Sequence, residues 1–598
     1  MLALFTSPAL AAESEREARL RRTVEALSAP DSRMTGYPGA AAAREWLVAE
    51  LESLGIAEIY RHEFPVLVPI DEGFWLECAG ERLELFGVWP NLVRTPTLPV
   101  EGIEGQLVYG GDGSRLEGQP VVGRIVLLDY VSGTAWVDAF HLGAAAVVFL
   151  ESAGAHRKEA EQKFLDVPAD LPRLYARKDV AERLRVLEES RAQVRLWGRM
   201  AWREVTAQNL VAVIPGSDAT LGEEVVFLAA HYDAMSPVPA LAPGAEQAAS
   251  AAALLELARG FAERPPKRTV VLLWTAGHFQ NMAGMRHFAP LLLTAAGQRE
   301  DEVEETVLLQ RLSALETRFL VGLDLSSHSP RLGAFRPREP YRVSLLAPPI
   351  TERLLRLVTA HEDSALGGKR VLVNGLKQDF ARQGLGGMGL TVPLDAAVAA
   401  LAGCPALAFC TVNDSRARFD APDDYPGAVR FDWLGDQVAL LQGVLPALID
   451  DPELEPWAWG NDAFGTIGGE VVHYGPRSYL PDQPTVGALV RVRLRHPTLA
   501  GVRPDFWAAA DDSGRFVIPG VESGIIYTKP VRLEAYRLDA ETGAVTDAPD
   551  WGINGERKLP RRALMVTMDG AEEEEQIVTA PLRGTTLFGI FDPRNLLT

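Results

Sequence analysis

The sequence predicts an α/β protein: a sheet flanked by helices, preceded by an inserted β-rich unit and followed by an all-β sandwich. Three observations predict it. Short apolar runs alternate with helical stretches over residues 209–450, β runs separated by turn residues occupy about 100–199, and from about Gly468 the hydrophobic period becomes 2.

Length and composition bound the rest. At 598 residues the chain is too long for one core, and at roughly 150 residues per domain it predicts three to four units. Hydrophobic residues make up 47% and charged residues 23%, ordinary globular proportions that argue against extensive disorder. The net charge of -21 and the lack of a basic stripe argue against a nucleic-acid partner, since such binding draws its affinity from Lys and Arg displacing counterions. The longest apolar runs, such as 225–230 and 270–274, fall far short of the ~20 residues of a spanning helix, so no transmembrane segment is expected. Cys78, Cys404 and Cys410 show no CxxC spacing and read as core thiols. Residues 1–12 are apolar and contain an Ala-Leu-Ala suited to cleavage, so they read as a signal peptide despite the missing basic n-region. Export to the periplasm, cell surface or medium is the expectation. The chain ends at Asn595-Leu596-Leu597-Thr598 with no capping signal, compatible with a natural chain that continues.

The elements follow in order. Over residues 13–95, Leu20, Val24 and Leu27 and then Trp46, Leu47, Leu51 and Leu54 recur at helical spacing. The Gly- and Pro-rich linker 31–39 separates these two helices. Residues 96–200 contain strands at 106–109, 124–130 and 144–150 and a helix at 136–143, and read as an inserted lid. In 201–450, strands at 209–215, 225–230 and 269–274 surround a helix over about 248–263, a β/α alternation that predicts parallel strands. The charge-rich stretch 297–317 reads as a helical surface excursion. Strands at 319–325, 341–346 and 406–411 and a helix over about 433–448 complete this region. After Asp450 the composition shifts to Pro, Trp and Gly, marking a boundary. Residues 468–598 form the sandwich, with a strand at 487–494 and the turn 511–514 leading into a strand at 515–518.

In open α/β sheets ligands bind outside the carboxyl ends of the strands. His231-Tyr232-Asp233 falls there, directly after 225–230. A His two residues before an Asp suits a metal-binding ring with the carboxylate orienting it. Taken alone, a loop histidine with satisfied hydrogen bonds is the better explanation of such a spacing.

The surrounding segments give it context. In order along the chain stand DSRMTGYPGAAAAREWL, NLVAVIPG, VVFLAAHYDAM, GAEQAASAAALLELAR, KRTVVLLWTAG, GMRHF, Asp324, LDAAVAALAGCPALAF and FDAPDD. Together they span most of residues 31–450, and the succession resembles metallopeptidase family 28, the co-catalytic zinc aminopeptidases. The resemblance implies a zinc-aminopeptidase-like mixed sheet. Residues 100–199 resemble the protease-associated domain that members carry as an insertion, and DSGRFVIPGV is similar to a carboxypeptidase regulatory-like β-sandwich.

The resemblance also implies two zinc ions sharing an Asp and a water, with a Glu as general base. His231 matches the first His, Asp233 the carboxylate behind it and Asp324 the ligand at a strand end. The other positions depart from the pattern. At the bridging Asp stands Glu246 or Gln247, depending on the anchor, and only Glu246 offers a carboxylate to two cations. At the Glu-Glu pair stand His278 and Phe279, and no Asp or Glu occurs from Arg264 to Arg299. At the last His stands Asp420. Asp395 matches an Asp of the pattern ahead of Gly403-Cys404-Pro405-Ala406, and reads as a structural or rim residue. His287 and His328 read as surface histidines.

The surviving groups, His231, Glu246, Asp324 and Asp420, suffice for one divalent cation and not for a regular pair, so the expected cofactor is one zinc ion at most, or none. Losing an acid-base group lowers rates by on the order of 10²- to 10⁴-fold. His278 is the candidate substitute base, since imidazole titrates near neutrality. The expectation is an exported, catalytically impaired pseudo-peptidase that binds a peptide, protein or glycan ligand. The alternative is an active metal-dependent aminopeptidase or amide hydrolase with an altered metal site.

Overall fold

The computed structural model describes residues 8–91, 93–165, 167, 169–298, 306–335, 337, 348–376, 394–454, 459, 464–474, 481–494, 505–522, 530–538, 545–547, 562–569, 578–581 and 587–590. Its centre is a mixed sheet whose strands lie in the order Glu58–Cys78, Gln193–Ile214, Thr269–Thr275, Glu224–His231, Glu316–Asp324, Ala406–Thr411, Leu332–Phe335 and Leu372–Asn374. The four strands in the middle of this order, from Thr269–Thr275 to Ala406–Thr411, run parallel. Their carboxyl ends therefore share one edge. Gln193–Ile214 and Leu332–Phe335 flank them antiparallel.

Continuous apolar runs suit these strands because helices cover both faces. Along each strand the side chains alternate between two cores. Leu210, Ala212, Val226, Leu228, Leu272 and Trp274 pack on one face, whose cluster includes residues of helices Pro8–Leu27, Pro38–Ser53, Ala249–Glu263 and Phe431–Ile449. Val211, Val213, Phe227, Val271 and Leu273 pack on the other, with helices Ala283–Ala295, Val307–Ser313 and Asp395–Leu401.

The strand expected at 209–215 is the last part of the far longer Gln193–Ile214, paired over most of its length with Glu58–Cys78. Its earlier part carries exposed Arg195 and partly exposed Arg199 and Arg203, the last two paired with Glu72; these charges break the apolar pattern, and the ladder shifts register at Arg199. Through this ribbon the central sheet continues into Ile103–Gly111, Ile125–Asp129, Ala146–Leu150 and Arg173–Ala176, four parallel strands. Helices Ala135–His141, Arg157–Lys163 and Lys178–Glu189 accompany them, so this inserted unit is itself α/β.

C-terminal to residue 464 the described residues form two five-stranded sheets around Ile467, Val471, Val490, Val492, Phe506, Phe516 and Ile518. Trp507 of this part stacks on Trp202 of the long ribbon at 4.9 Å. The stretch 297–317 contains helix Val307–Ser313, whereas the strand expected at 341–346 lies outside the described residues, as do residues 1–7 of the apolar N-terminal segment. No helix among the described residues is long and apolar enough to cross a membrane. All three cysteines are free; Cys404 and Cys410 are buried and Cys78 partly so.

Candidate functional site

At the shared edge the strands end in His231, Thr275, Asp324 and Thr411. The loop after Thr275 turns back through Gly277, whose φ of +65° is left-handed and favours glycine, and delivers His278 beside His231. The two imidazoles stack with centroids 4.0 Å apart and planes 19° from parallel, and Phe279 meets both rings edge-on.

Asp395 completes this group. Its carboxylate Oδ2 lies 3.2 Å from His278 Nδ1 and accepts the Thr275 hydroxyl at 2.9 Å. Asp395 opens helix Asp395–Leu401, and the packing of that helix explains its position. Ala229, Gly322 and Ala408 pair across three adjacent strands, and a Cβ on Gly322 would stand 2.7 Å from the Ala396 Cβ. The row of small residues lets the helix sit close on the sheet. The residue expected to be structural thus contacts the candidate base.

Asp233 Oδ2 accepts the Thr35 hydroxyl at 2.9 Å and the His278 backbone N–H at 3.1 Å. The Thr35 hydroxyl oxygen accepts the Gly277 N–H at 2.9 Å, tying the 31–39 linker to the His278 loop. Asp233 therefore fixes the backbone of His278, not the ring of His231 as the His-x-Asp spacing predicts. Neither His231 ring nitrogen has a hydrogen-bond partner of normal geometry, the Gln247 backbone adding only a weak polar contact.

The other predicted ligands point to different partners. Asp324 forms an ion pair with the buried guanidinium of Arg416, a residue that sequence reasoning missed. Glu246 accepts the Ser327 N–H at 2.9 Å and the Ser327 hydroxyl, and lies 2.8 Å from His328 Nδ1. Gln247 accepts the Met235 N–H at 3.0 Å and donates to Asp420 Oδ1 at 3.1 Å. The structure thus gathers His231 with His278 and Asp395, and does not gather His231, Glu246, Asp324 and Asp420 around one point. It also separates Glu246 from Gln247: the acid faces Ser327 and His328, the amide Asp420. His328 is no simple surface residue, since its side chain, 35% exposed, places Nδ1 against the buried Glu246.

Burial and charge set the protonation states. Burial lowers the His231 pKa well below the ordinary histidine value, helped by His278, Arg416 and Arg33. Burial works the same way on His278, but the carboxylates of Asp395, Asp233 and Asp324 outweigh it and hold its pKa above the ordinary value. Burial pushes Asp233 up to about 6, against His278 and Thr35, which pull it down. Arg33, buried with its three donors on the carbonyls of Tyr232, Pro243 and Gly244, is lowered to about 10 by burial. The two stacked imidazoles are thus shifted in opposite directions, His231 down and His278 up.

Ligating atoms of His231, His278 and Asp395 all lie within 4.8 Å of one another. Two imidazoles and a carboxylate form a donor set of the catalytic zinc type, and the unpartnered His231 nitrogens and Asp395 Oδ1 are what one ion would satisfy. Of the other predicted ligands, Asp324 is paired with Arg416 and Glu246 stands against His328.

Residues 209–326 match the family model of peptidase family M28. Among curated proteins none matches this chain. Among solved structures, a peptidase M28 precursor from Shewanella amazonensis SB2B is similar at 16% identity and a TM-score of 0.45, covering 76% of this chain and 98% of that one. The zinc aminopeptidase BSAP from Bacillus subtilis gives 15%, 0.44, 72% and 94%. An aminopeptidase from Aneurinibacillus sp. strain AM-1 gives 15%, 0.39, 74% and 97%.

Proposed function

Taking residues 209–326 as a peptidase family M28 segment, we propose that this chain is a catalytically impaired peptidase relative whose cleft binds a peptide-like ligand without ordinary aminopeptidase turnover. The observation that carries the reading is the state of the residue standing where the resemblance puts the general base. His278 is 3% exposed, its ring is stacked face to face on His231, and its Nδ1 is engaged by Asp395, so the ring is held inside the site and away from a bound substrate. No carboxylate from 264–299 can replace it.

Access points the same way. His231 is 1% exposed, Asp324 3% and Asp395 6%, so a scissile bond reaches none of them without displacing covering residues. The Arg157 N–H to Ala417 carbonyl bond at 2.8 Å and the Arg418 to Ala155 carbonyl bond at 2.7 Å tie the inserted unit to the loop that carries Arg416 and Asp420. We place the first contact of the ligand at His328, whose side chain is 35% exposed and stands against Glu246. Aminopeptidase activity on a panel of N-terminal dipeptides and aminoacyl anilides, with zinc supplied, is expected to lie about 10²- to 10⁴-fold below that of an active zinc aminopeptidase. Turnover at full rates, abolished by His231→Ala, would sink the proposal.

The unpartnered nitrogens of His231 favour a second reading, an amide hydrolase using one ion held by His231, His278 and Asp395. Such an ion supplies Lewis-acid polarisation of a bound carbonyl. In that case His278 and Asp395 serve as ligands, Asp233 fixes the His278 backbone and Phe279 shields the rings from water. Zinc near one equivalent together with turnover selects this reading over the first.

A further inference from the structure

Arg416 occupies an unusual place for an arginine. It follows strand Ala406–Thr411 at a φ of +51°, a left-handed conformation that a non-glycine residue holds only when its surroundings fix it. The fixing groups are visible. The Arg416 N–H donates to Asp414 Oδ1 at 2.7 Å, while Asp414 Oδ2 accepts the Ser326 hydroxyl at 2.7 Å and the His328 N–H at 3.0 Å. Asp414 thus clamps the turn of Arg416 to the stretch that follows Asp324. The guanidinium, 3% exposed, donates through Nη2 to the Asp324 carbonyl at 3.0 Å and to Cys410 Sγ at 3.3 Å, forms an ion pair through Nη1 with the Asp324 carboxylate, and lies over the Phe419 ring at 4.8 Å.

We propose that Arg416 is a built-in cation standing in the place of a metal ion: it occupies the strand-end carboxylate that would otherwise be a ligand, and closes that half of the cleft to divalent cations. The inference deepens the reading above and rests on it for the view that paired zinc is not the working state. A buried carboxylate requires a counter-charge. Asp324 obtains its own from a residue that cannot dissociate and, with a guanidinium, cannot lose its proton. Glu246 is treated similarly, with His328 Nδ1 2.8 Å away. The donor set of His231, His278 and Asp395 lies outside both pairs, so the proposal limits the chain to one ion without forbidding that one.

The test counts metal ions. The full chain is stripped with chelator, then titrated with Zn²⁺ and separately with Co²⁺, reading stoichiometry by calorimetry and coordination by the Co²⁺ absorption bands. The unaltered chain is expected to take up one equivalent at most, Arg416→Met to gain one further equivalent, Arg416→Lys to show no gain, and Arg416→Met with Asp324→Asn to lose the gain again. Equal uptake by the unaltered chain and Arg416→Met overturns the proposal, as does a gain that survives Asp324→Asn. If Arg416→Met folds too poorly to titrate, Asp324→Asn alone decides: unchanged uptake supports Arg416 as the partner of Asp324, and loss of an equivalent overturns it. Peptide turnover by a one-zinc chain would defeat the impaired-peptidase reading while leaving the Arg416 result standing, so the two fail separately.

Discussion

Gly322→Ala tests how the site is assembled, because it alters no functional group. The added Cβ would lie 2.7 Å from the Ala396 Cβ and 3.2 Å from the Ala396 nitrogen, against an ordinary carbon–carbon separation of about 3.5–4.0 Å. Both sides of this contact are backbone-anchored, so no flexible side chain absorbs the clash and helix Asp395–Leu401 must retreat by roughly 1 Å. Overpacking of this kind destabilises by about 1–3 kcal/mol. The helix carries Asp395 with it. Its bond to His278 is already 3.2 Å, and a retreat of roughly 1 Å takes it past hydrogen-bonding reach. Burial of His278 would then act with less opposition and its pKa would fall. In chelator, the variant is expected to unfold at lower urea concentration, and the His278 imidazole, followed by NMR, to titrate at lower pH than in the parent. A stability change below about 0.5 kcal/mol, within the usual range for neutral surface substitutions, together with an unmoved titration, would refute the claim that the Gly322 contact positions Asp395.

Two further outcomes follow from buried charge and burial. Asp324→Ala leaves the Arg416 guanidinium buried without its carboxylate and is expected to destabilise by about 3–5 kcal/mol, whereas Asp324→Asn combined with Arg416→Met, which removes both charges, should fall much closer to the parent in urea denaturation; equal losses would show that the pair is not coupled. Burial lowers His62 and His287 to about 4, and both rings contact Phe64. A depressed folded pKa contributes stability that is complete above the unfolded value near 6.5 and is lost as pH falls toward 4, on the order of 2–3 kcal/mol for each half-buried ring. Asn209 supports the neutral form: its oxygen accepts the Ala276 N–H, so its amide nitrogen faces His62 Nδ1, which must accept. Urea midpoints measured from pH 7.5 to 4 should drop, and His62→Phe should flatten the drop; an unchanged slope would contradict the assignment.

The central sheet was legible because its strands are buried on both faces, and an apolar run such as 270–274 has no other explanation at that length. His231 and Asp324 were legible as strand-end residues for the same reason: where a buried strand ends, the next polar side chain stands at the sheet edge. The group that forms there was not. His278 and Asp395 lie 117 residues apart in sequence, and their meeting depends on Gly322 and on the two alanines paired with it, which no local pattern ties to a histidine. Asp233 was placed correctly on its loop, but its partner was misread, because the hydroxyl of Thr35, 198 residues away, competes for the carboxylate. Arg416 carried no signal at all: it sits in an irregular loop, and the left-handed backbone that aims it depends on Asp414 contacts formed only in the folded chain.

These cases bear on how a cleft with several buried carboxylates stays folded. The stretch 264–299 contains no acidic residue, yet Asp324, Glu246, Asp395 and Asp233 are buried at this edge. Left without counter-charges, such carboxylates would each destabilise by several kcal/mol, a large share of the 5–15 kcal/mol that holds a domain together. A metal can neutralise them only when present, and the folded state would then depend on its concentration. Arg416, His328 and His278 instead stand beside Asp324, Glu246 and Asp395 on loops that follow the central strands. The cleft therefore carries its compensation in the covalent chain. On the reading proposed above, the shape of the edge, with its loops and its inserted neighbour, is held by these pairs whether or not a metal is bound.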